Sequence, residues 1–295
     1  MTFEIVLQLV LNGLANGVLY ALPALGISLI WNASGQFNFA QSDLLTLGGY
    51  IMFTLFGTLK IPYVPAFLLT VAVMGGVGYF LSWVYFYPML EARVNPQIIM
   101  IGTVALSVFI RNFILVVWSS TPQRYRNVFG SRALQFGELF VMPHVLWIIG
   151  IVAALLILLQ YFLRGTMMGT AMRSVAQRPA AAWLMGIRNN RMISITFMMS
   201  TAIAAVAGIL IAPINTLSPS MGSTMGAKVM AAVLIGGLGS FSGALVGGIL
   251  VGVSEILFSA FISSAYRDVF VFGLLVLFLI FRPGGIFKAD ISEKI

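Results

Sequence analysis

The side chains able to do chemistry are few and far apart. The 295 residues include 8 acids, one histidine and no cysteine. His144 stands alone, so no histidine cluster can hold a metal, and the lack of cysteine removes thiolate ligands, disulfides and thiol nucleophiles. No paired-carboxylate spacing, His–Glu metal motif or nucleophile elbow occurs. The glycine-rich GGLGSFSG at residues 236–243 has no following Lys-Ser or Lys-Thr, and no Gly-Lys pair occurs anywhere. A Walker A loop is therefore absent, and these glycines read better as points of close backbone approach in a helix bundle. The expectation is no catalytic residue, no metal and no cofactor bound by this chain. Asp43 and Glu255 are the acids set into apolar runs. An ion-driven carrier ordinarily needs more such groups in a relay, so an energy source outside the chain fits better.

The densest cluster of charge is RGTMMGTAMRSVAQRPAAAWLMGIRNNR at residues 164–191, with five arginines and no acid. Residues 171–185 have helical composition, interrupted at Pro179. Cationic loops between membrane spans are retained on the cytoplasmic side, so this stretch sets the orientation of the whole. It reads either as a topological signal alone or as a docking surface for a cytoplasmic partner.

The elements around it are membrane. The chain is 60% hydrophobic and 8% charged, with a mean hydropathy of +1.03. Continuous apolar runs exclude a transmembrane β-barrel and define an all-α polytopic membrane protein. The net charge of +8 lies between apolar spans rather than on one face of a folded domain, which argues for membrane orientation and against nucleic acid. The first Lys or Arg is Lys60, so the N-terminal apolar segment lacks the basic start of a cleavable signal.

In chain order, residues 5–31 form one long apolar segment interrupted by Asn12, Asn16 and Pro23: either one tilted or kinked helix or a helix with a broken return. NASGQFNFAQSD follows at residues 32–43, where Ser42 or Asp43 can cap a helix beginning at Leu44. The glycine-rich run 44–59 is short. Spans follow at 62–87 and 98–118; the second carries Arg111 and Asn112, which must face protein or water or else snorkel to the interface. A loop at 119–142 holds Arg124, Arg126 and Arg132. After a span at 143–163 and the arginine loop come a span at 193–211 with the small-residue run TAIAAVAG, a second short run at 227–238, and spans at 240–261 and 269–281. The total is about eight to nine membrane segments including short broken or re-entrant helices, with the N-terminus external and the C-terminus cytoplasmic. Each half carries a short glycine-rich run beside a longer span, a two-half pseudo-symmetry that points to a central substrate path. Glu255 and Lys228 lie on neighbouring segments where they can pair.

Four motifs in order resemble the LivH-type permease of branched-chain amino-acid ABC importers over nearly the whole chain. They are NGVLYALPALGISLIW with GQFNFAQSDLLTLGGY (residues 16–31 and 35–50), the arginine loop with Ala181, Ala182 and Gly186, AAVLIGGLGSFSGALVGGILVG (residues 231–252), and the ending FRPGGIF (residues 281–287). Two departures stand out. Pro179 and Ala180 occupy the place of the acid of an EAA-like motif, and Gln41-Ser42-Asp43 stands where family members often have His-Gly-Glu.

The resemblance implies a single transmembrane permease domain over residues 1–295, with residues 164–191 as a cytoplasmic coupling loop within it. It implies two ATPase subunits carrying ATP and magnesium, a second permease (LivM-like or identical), and a periplasmic or lipid-tethered binding protein, in a bacterial inner membrane. Coupling to the ATPases is expected at Arg173, Arg178, Ala181, Ala182, Gly186 and Arg188, and the substrate path at Gln36, Asn38, Gln41 and Ser42. Arg124, Arg126 and Arg132 can meet acids of a binding protein or lipid headgroups. The cargo expected is a branched-chain or related small amino acid, with urea, an amide or another small organic acid as alternatives. Outside this class stand an ion-coupled secondary carrier of small polar solutes and a membrane scaffold with no pathway. Polar residues placed at depth argue against the scaffold.

Overall fold

A computed structural model describes residues 3–125, 134–136 and 139–287. The described chain is a bundle of helices. α1 (Phe3–Ser34) runs unbroken through Pro23, so the first apolar segment is one helix and not a helix with a return. α2 (Gln41–Met52) continues through a π-helical turn at Phe53–Thr58. α3 (Tyr63–Leu81) passes through a second π-helical turn at Ser82–Phe86 into α4 (Tyr87–Glu91). α5 (Pro96–Trp118) and α6 (Pro143–Gly165) flank a connection that contains a two-stranded hairpin, β1 (Leu134–Phe136) against β2 (Leu139–Val141). Two short helices follow, α7 (Met167–Gln177) and α8 (Pro179–Leu184). The chain then forms α9 (Asn189–Ile211), α10 (Met221–Gly236), α11 (Phe241–Phe261) and α12 (Arg267–Phe281). Among the described residues six helical stretches are long and apolar enough to cross a membrane: Glu4–Ser34, Tyr63–Glu91, Pro96–Trp118, Pro143–Gly165, Asn189–Ile211 and Phe241–Phe261.

α9 is the most buried of these spans, packed against α1, α2 and α3. Its small residues explain why. A Cβ added at Gly48 would lie 2.7 Å from Ala205 Cα, and one at Gly49 would lie 3.3 Å from Gly208 O, so α2 and α9 cross almost backbone to backbone. α1 and α11 make the most extensive pairing in the bundle, along Gly13 and Gly17 on one side and Gly248 and Gly252 on the other. In lipid the hydrophobic effect does not drive helices together; close van der Waals packing does, and small residues permit it.

The short run at 227–238 begins earlier than the sequence implies, at Met221. Its first turns, MGSTMG, read as loop by composition. They are helical because Gly222 and Gly226 let α10 slide against the backbone of Ser42 and the side chain of Asp43, contacts a larger residue would block. The cap expected at Ser42 or Asp43 is not formed either: α2 starts at Gln41, and its N-cap Ala40 makes no side-chain cap. Asn38 Oδ1 instead accepts from Ala40 N at 3.1 Å, which frees the other two side chains. At the opposite end of α10, three of the sequence motifs meet. Asn32 donates to Gly239 O at 2.6 Å, and the backbone of the FRPGGIF ending adds to the α10 terminus through Ile286 N to Ile235 O and Phe287 N to Gly236 O. Gly237 (φ +105°) makes that turn in a backbone region closed to most side chains.

Candidate functional site

Asp43 organises a cleft between the α1–α2 connection, α5 and α10. Its carboxylate is almost wholly buried, with a side-chain exposure of 3%. Ser107 on α5 donates to Oδ2, and Arg111, one helical turn further along α5, brings a guanidinium nitrogen to 3.8 Å from Oδ1. Arg111 at this depth therefore faces protein, with a third of its side chain open to the cleft mouth. The segment that carries Phe37 and Phe39 is fastened to α5 by Thr103 Oγ1, which accepts from Phe39 N at 3.1 Å. The cavity so formed measures about 280 Å³; Asn38, Ser42 and Ser223 add polar groups, and Ile27, Phe37, Phe39, Val104 and Met230 make its apolar wall.

Of the four residues expected on a substrate path, Asn38 and Ser42 line this cleft, whereas Gln36 and Gln41 do not. Gln41 is buried on the other side of the α2 start, donating to Ser200 O of α9 at 3.0 Å where Gly26 leaves room. The sequence reading missed Ser107 and did not join Asp43 to Arg111. The available signal was a charge two-thirds along an apolar span, which demands a partner of opposite sign.

A second cavity, of about 320 Å³, lies on the other face of α10 and reaches Asn16 and Tyr20 of α1 and the connection before α10. Its floor is ionic. Lys228 Nζ is 2.6 Å from Glu255 Oε1, the pair anticipated from sequence, and 3.0 Å from Asp268. Tyr20 donates to Glu255 Oε2 at 2.9 Å, and Arg267 Nε lies 3.4 Å from the same carboxylate.

The arginine-rich connection folds as two helices at an angle, broken at Arg178 just before Pro179, as the sequence requires. Thr166 caps α7 by accepting from Gly169 N at 3.0 Å. Met172, Val175 and Ala182 pack inward with Met192 and Ile195, and Asn189 ties the pair to α9 by donating to Pro179 O at 2.9 Å. Arg173, Arg178, Ala181, Gly186 and Arg188 are exposed, while Ala182 is buried. Gly186 takes a left-handed φ of +81°, which ends α8 and turns the chain toward α9. Three apolar side chains that the sequence reading passed over project from the same unit: Trp183, Leu184 and Met185, at 67%, 79% and 84% exposure. Of the arginines between α5 and α6, Arg124 is exposed and donates to Ile214 O at 3.3 Å; Arg126 and Arg132 lie outside the described residues. No cluster of three or more metal-ligating side chains occurs among the described residues.

A helical membrane protein with clefts beside its short helices and a compact helix pair between spans is built as a transport component. The profile of the family described as branched-chain amino acid transport system, permease component, matches residues 9–279. The chain is 31% identical to the high-affinity branched-chain amino acid transport system permease protein LivH of Salmonella typhimurium over 98% of its own length and 97% of that protein. It is 32% identical to the corresponding permease protein BraD of Pseudomonas aeruginosa, over 98% of both chains. A probable LivH of Methanocaldococcus jannaschii is 29% identical over 92% of this chain and 89% of its own. The chain belongs to this permease family. No solved structure matches it.

Proposed function

We propose that the chain is the membrane-spanning subunit of an ATP-binding-cassette importer, forming the path for branched-chain or related small amino acids handed over by an external binding protein. One observation carries the reading beyond the family: the α7–α8 unit, held rigidly to the bundle by buried Met172, Val175 and Ala182, presents Trp183, Leu184 and Met185 amid the arginines. An apolar tip ringed by cations suits insertion into an acidic-rimmed groove of an ATPase subunit. Closure of two ATPases on ATP and magnesium would then tilt this unit and, through Asn189, the central helix α9 as a rigid body.

The topology that serves this places residues 164–191 and the C-terminus in the cytoplasm and the N-terminus outside, in a bacterial inner membrane. Nine crossings satisfy it: the six long spans together with α2, α10 and α12. In that arrangement α1–α3 and α9–α11 would be inverted repeats, a reading supported by the packing of α1 on α11 as α3 packs on α9, with α2 against α10. A second permease would complete the path on the open side of the Asp43 cleft. Glu255 is tightly ion-paired with Lys228, and Asp43 takes a hydrogen bond from Ser107 with the Arg111 cation close by, which counts against their acting as free proton carriers. Affinity purification from membranes tests the whole: two ATPase chains and a second permease should accompany this subunit, and the reconstituted assembly should take up leucine with ATP regardless of a protonophore. Uptake driven by an ion gradient with no ATPase captured would overturn it.

A further inference from the structure

The Asp43 cleft holds charges of both signs that do not satisfy each other. Asp43 Oδ1 is buried and receives no hydrogen bond, and Arg111 Nε is buried and donates none. Their approach of 3.8 Å is loose, longer than the 2.7–2.9 Å typical of a charge-assisted hydrogen bond. Buried polar atoms left without partners cost free energy, and here the two lie at the same cavity. Something that donates to the carboxylate and accepts from the guanidinium would satisfy both at once.

We propose that Asp43 and Arg111 form a bipolar site for the zwitterionic head of an α-amino acid: the ammonium on Asp43 Oδ1 and the carboxylate on Arg111. The reading rests on the transport function above and names the chemistry by which the path selects its cargo. An ammonium and a carboxylate joined through one carbon match a cation and an anion held a few ångströms apart. A simple anion meets Asp43, and a simple cation meets Arg111, so each is disfavoured. A neutral amide gains only weaker, uncharged bonds. The ligand's side chain would lie along Phe37, Phe39, Val104 and Met230, a wall without charge that suits a branched aliphatic group. The volume of about 280 Å³ falls just below the roughly 300–1,000 Å³ typical of small-molecule sites, as fits a ligand of amino-acid size. Ser107 holds the Asp43 carboxylate in place from α5 and is a positioning residue.

The test uses the complete assembly in proteoliposomes, with the ATPases and binding protein that purify with it, and reads leucine uptake and binding-protein-stimulated ATP hydrolysis separately. Asp43→Asn and Arg111→Gln should each lower uptake by about tenfold or more, the loss of one charge-assisted contact, while hydrolysis stays within about twofold. Ser107→Ala, which keeps both charges but releases the Asp43 carboxylate, should raise the KM for leucine with the maximal uptake rate held, a smaller loss than either charge variant, and Ser107→Thr should restore it. Arg111 is partly exposed, so Arg111→Gln decides alone if Asp43→Asn does not assemble. Wild-type uptake that both variants match within about twofold overturns the site. A wild-type assembly that hydrolyses ATP but moves no amino acid overturns the transport reading instead.

Discussion

Lys228 Nζ and Glu255 Oε1 meet at 2.6 Å, from the middle of α10 and two-thirds along α11, with side-chain exposures of 10% and 2%. Tyr20, Arg267 and Asp268 complete the group, so one buried pair joins α1, α10, α11 and the start of α12. Removing one member of such a pair leaves an uncompensated buried charge, which ordinarily costs about 3–5 kcal/mol. Here Glu255 keeps Tyr20 and the more distant Arg267. Lys228→Met should therefore cost at the low end, about 3 kcal/mol. Asp268, 61% exposed, is a surface partner, and Asp268→Asn should cost about 0–1 kcal/mol. Thermal unfolding of the purified variants checks the order; equal losses would mean that the network is solvated.

The small residues made the bundle legible before its geometry was known. TAIAAVAG and the 243–252 glycine run both became close crossings, and the apolar runs gave the six long spans to within a few residues. Lys228 and Glu255 were legible as a pair because each is a lone charge in adjoining apolar segments. Asp43 and Arg111 were not, because nothing local places α5 beside the start of α2; that contact is purely tertiary. The beginning of α10 was missed for a related reason. Glycine and serine disfavour an isolated helix, and only the neighbouring backbone of Ser42 and Asp43 makes MGSTMG helical. Trp183–Met185 were overlooked because the arginines dominated that stretch, although three large side chains in a polar loop were themselves the signal.

The α1–α11 crossing gives a sharp contrast between glycines. A Cβ at Gly17 would lie 2.7 Å from Ile249 Cα, against backbone that cannot step aside, whereas one at Gly273 on α12 meets nothing within 4 Å. Gly17→Val should abolish or sharply reduce recovery of monodisperse protein, with a destabilisation of about 3 kcal/mol at the upper end for overpacking. Gly273→Val should leave recovery unchanged. Size-exclusion profiles after detergent extraction distinguish them, and a normal profile for Gly17→Val would contradict the crossing.

The exposed tip of α8 should be dispensable for folding and needed for partnership. Trp183→Ala removes a side chain with two-thirds of its surface open, so stability should change by no more than about 0.5 kcal/mol. Loss of an aromatic anchor from an interface typically costs about 2 kcal/mol or more, some thirtyfold in affinity. Recovery of ATPase subunits with the purified permease should fall accordingly. Arg173→Glu together with Arg188→Glu should weaken capture further at low salt, because rim charges act chiefly on encounter. ATPase recovery equal to wild type in both variants would remove the α7–α8 unit from the coupling surface.

Orientation can be read from the same helix pair without any partner. The chain holds no cysteine, so single cysteines placed at exposed positions report on one site each. Thr170→Cys, on the exposed face of α7, should resist a membrane-impermeant thiol reagent in intact cells and react after the membrane is opened. Thr121→Cys, in the exposed connection after α5, should react from outside. Because α6 is the one candidate span between these two positions among the described residues, the paired result also fixes the direction of α6 and of α9, the next candidate span. Labelling in the reverse sense would put the arginines outside and remove them from reach of any cytoplasmic ATPase, whatever the family resemblance.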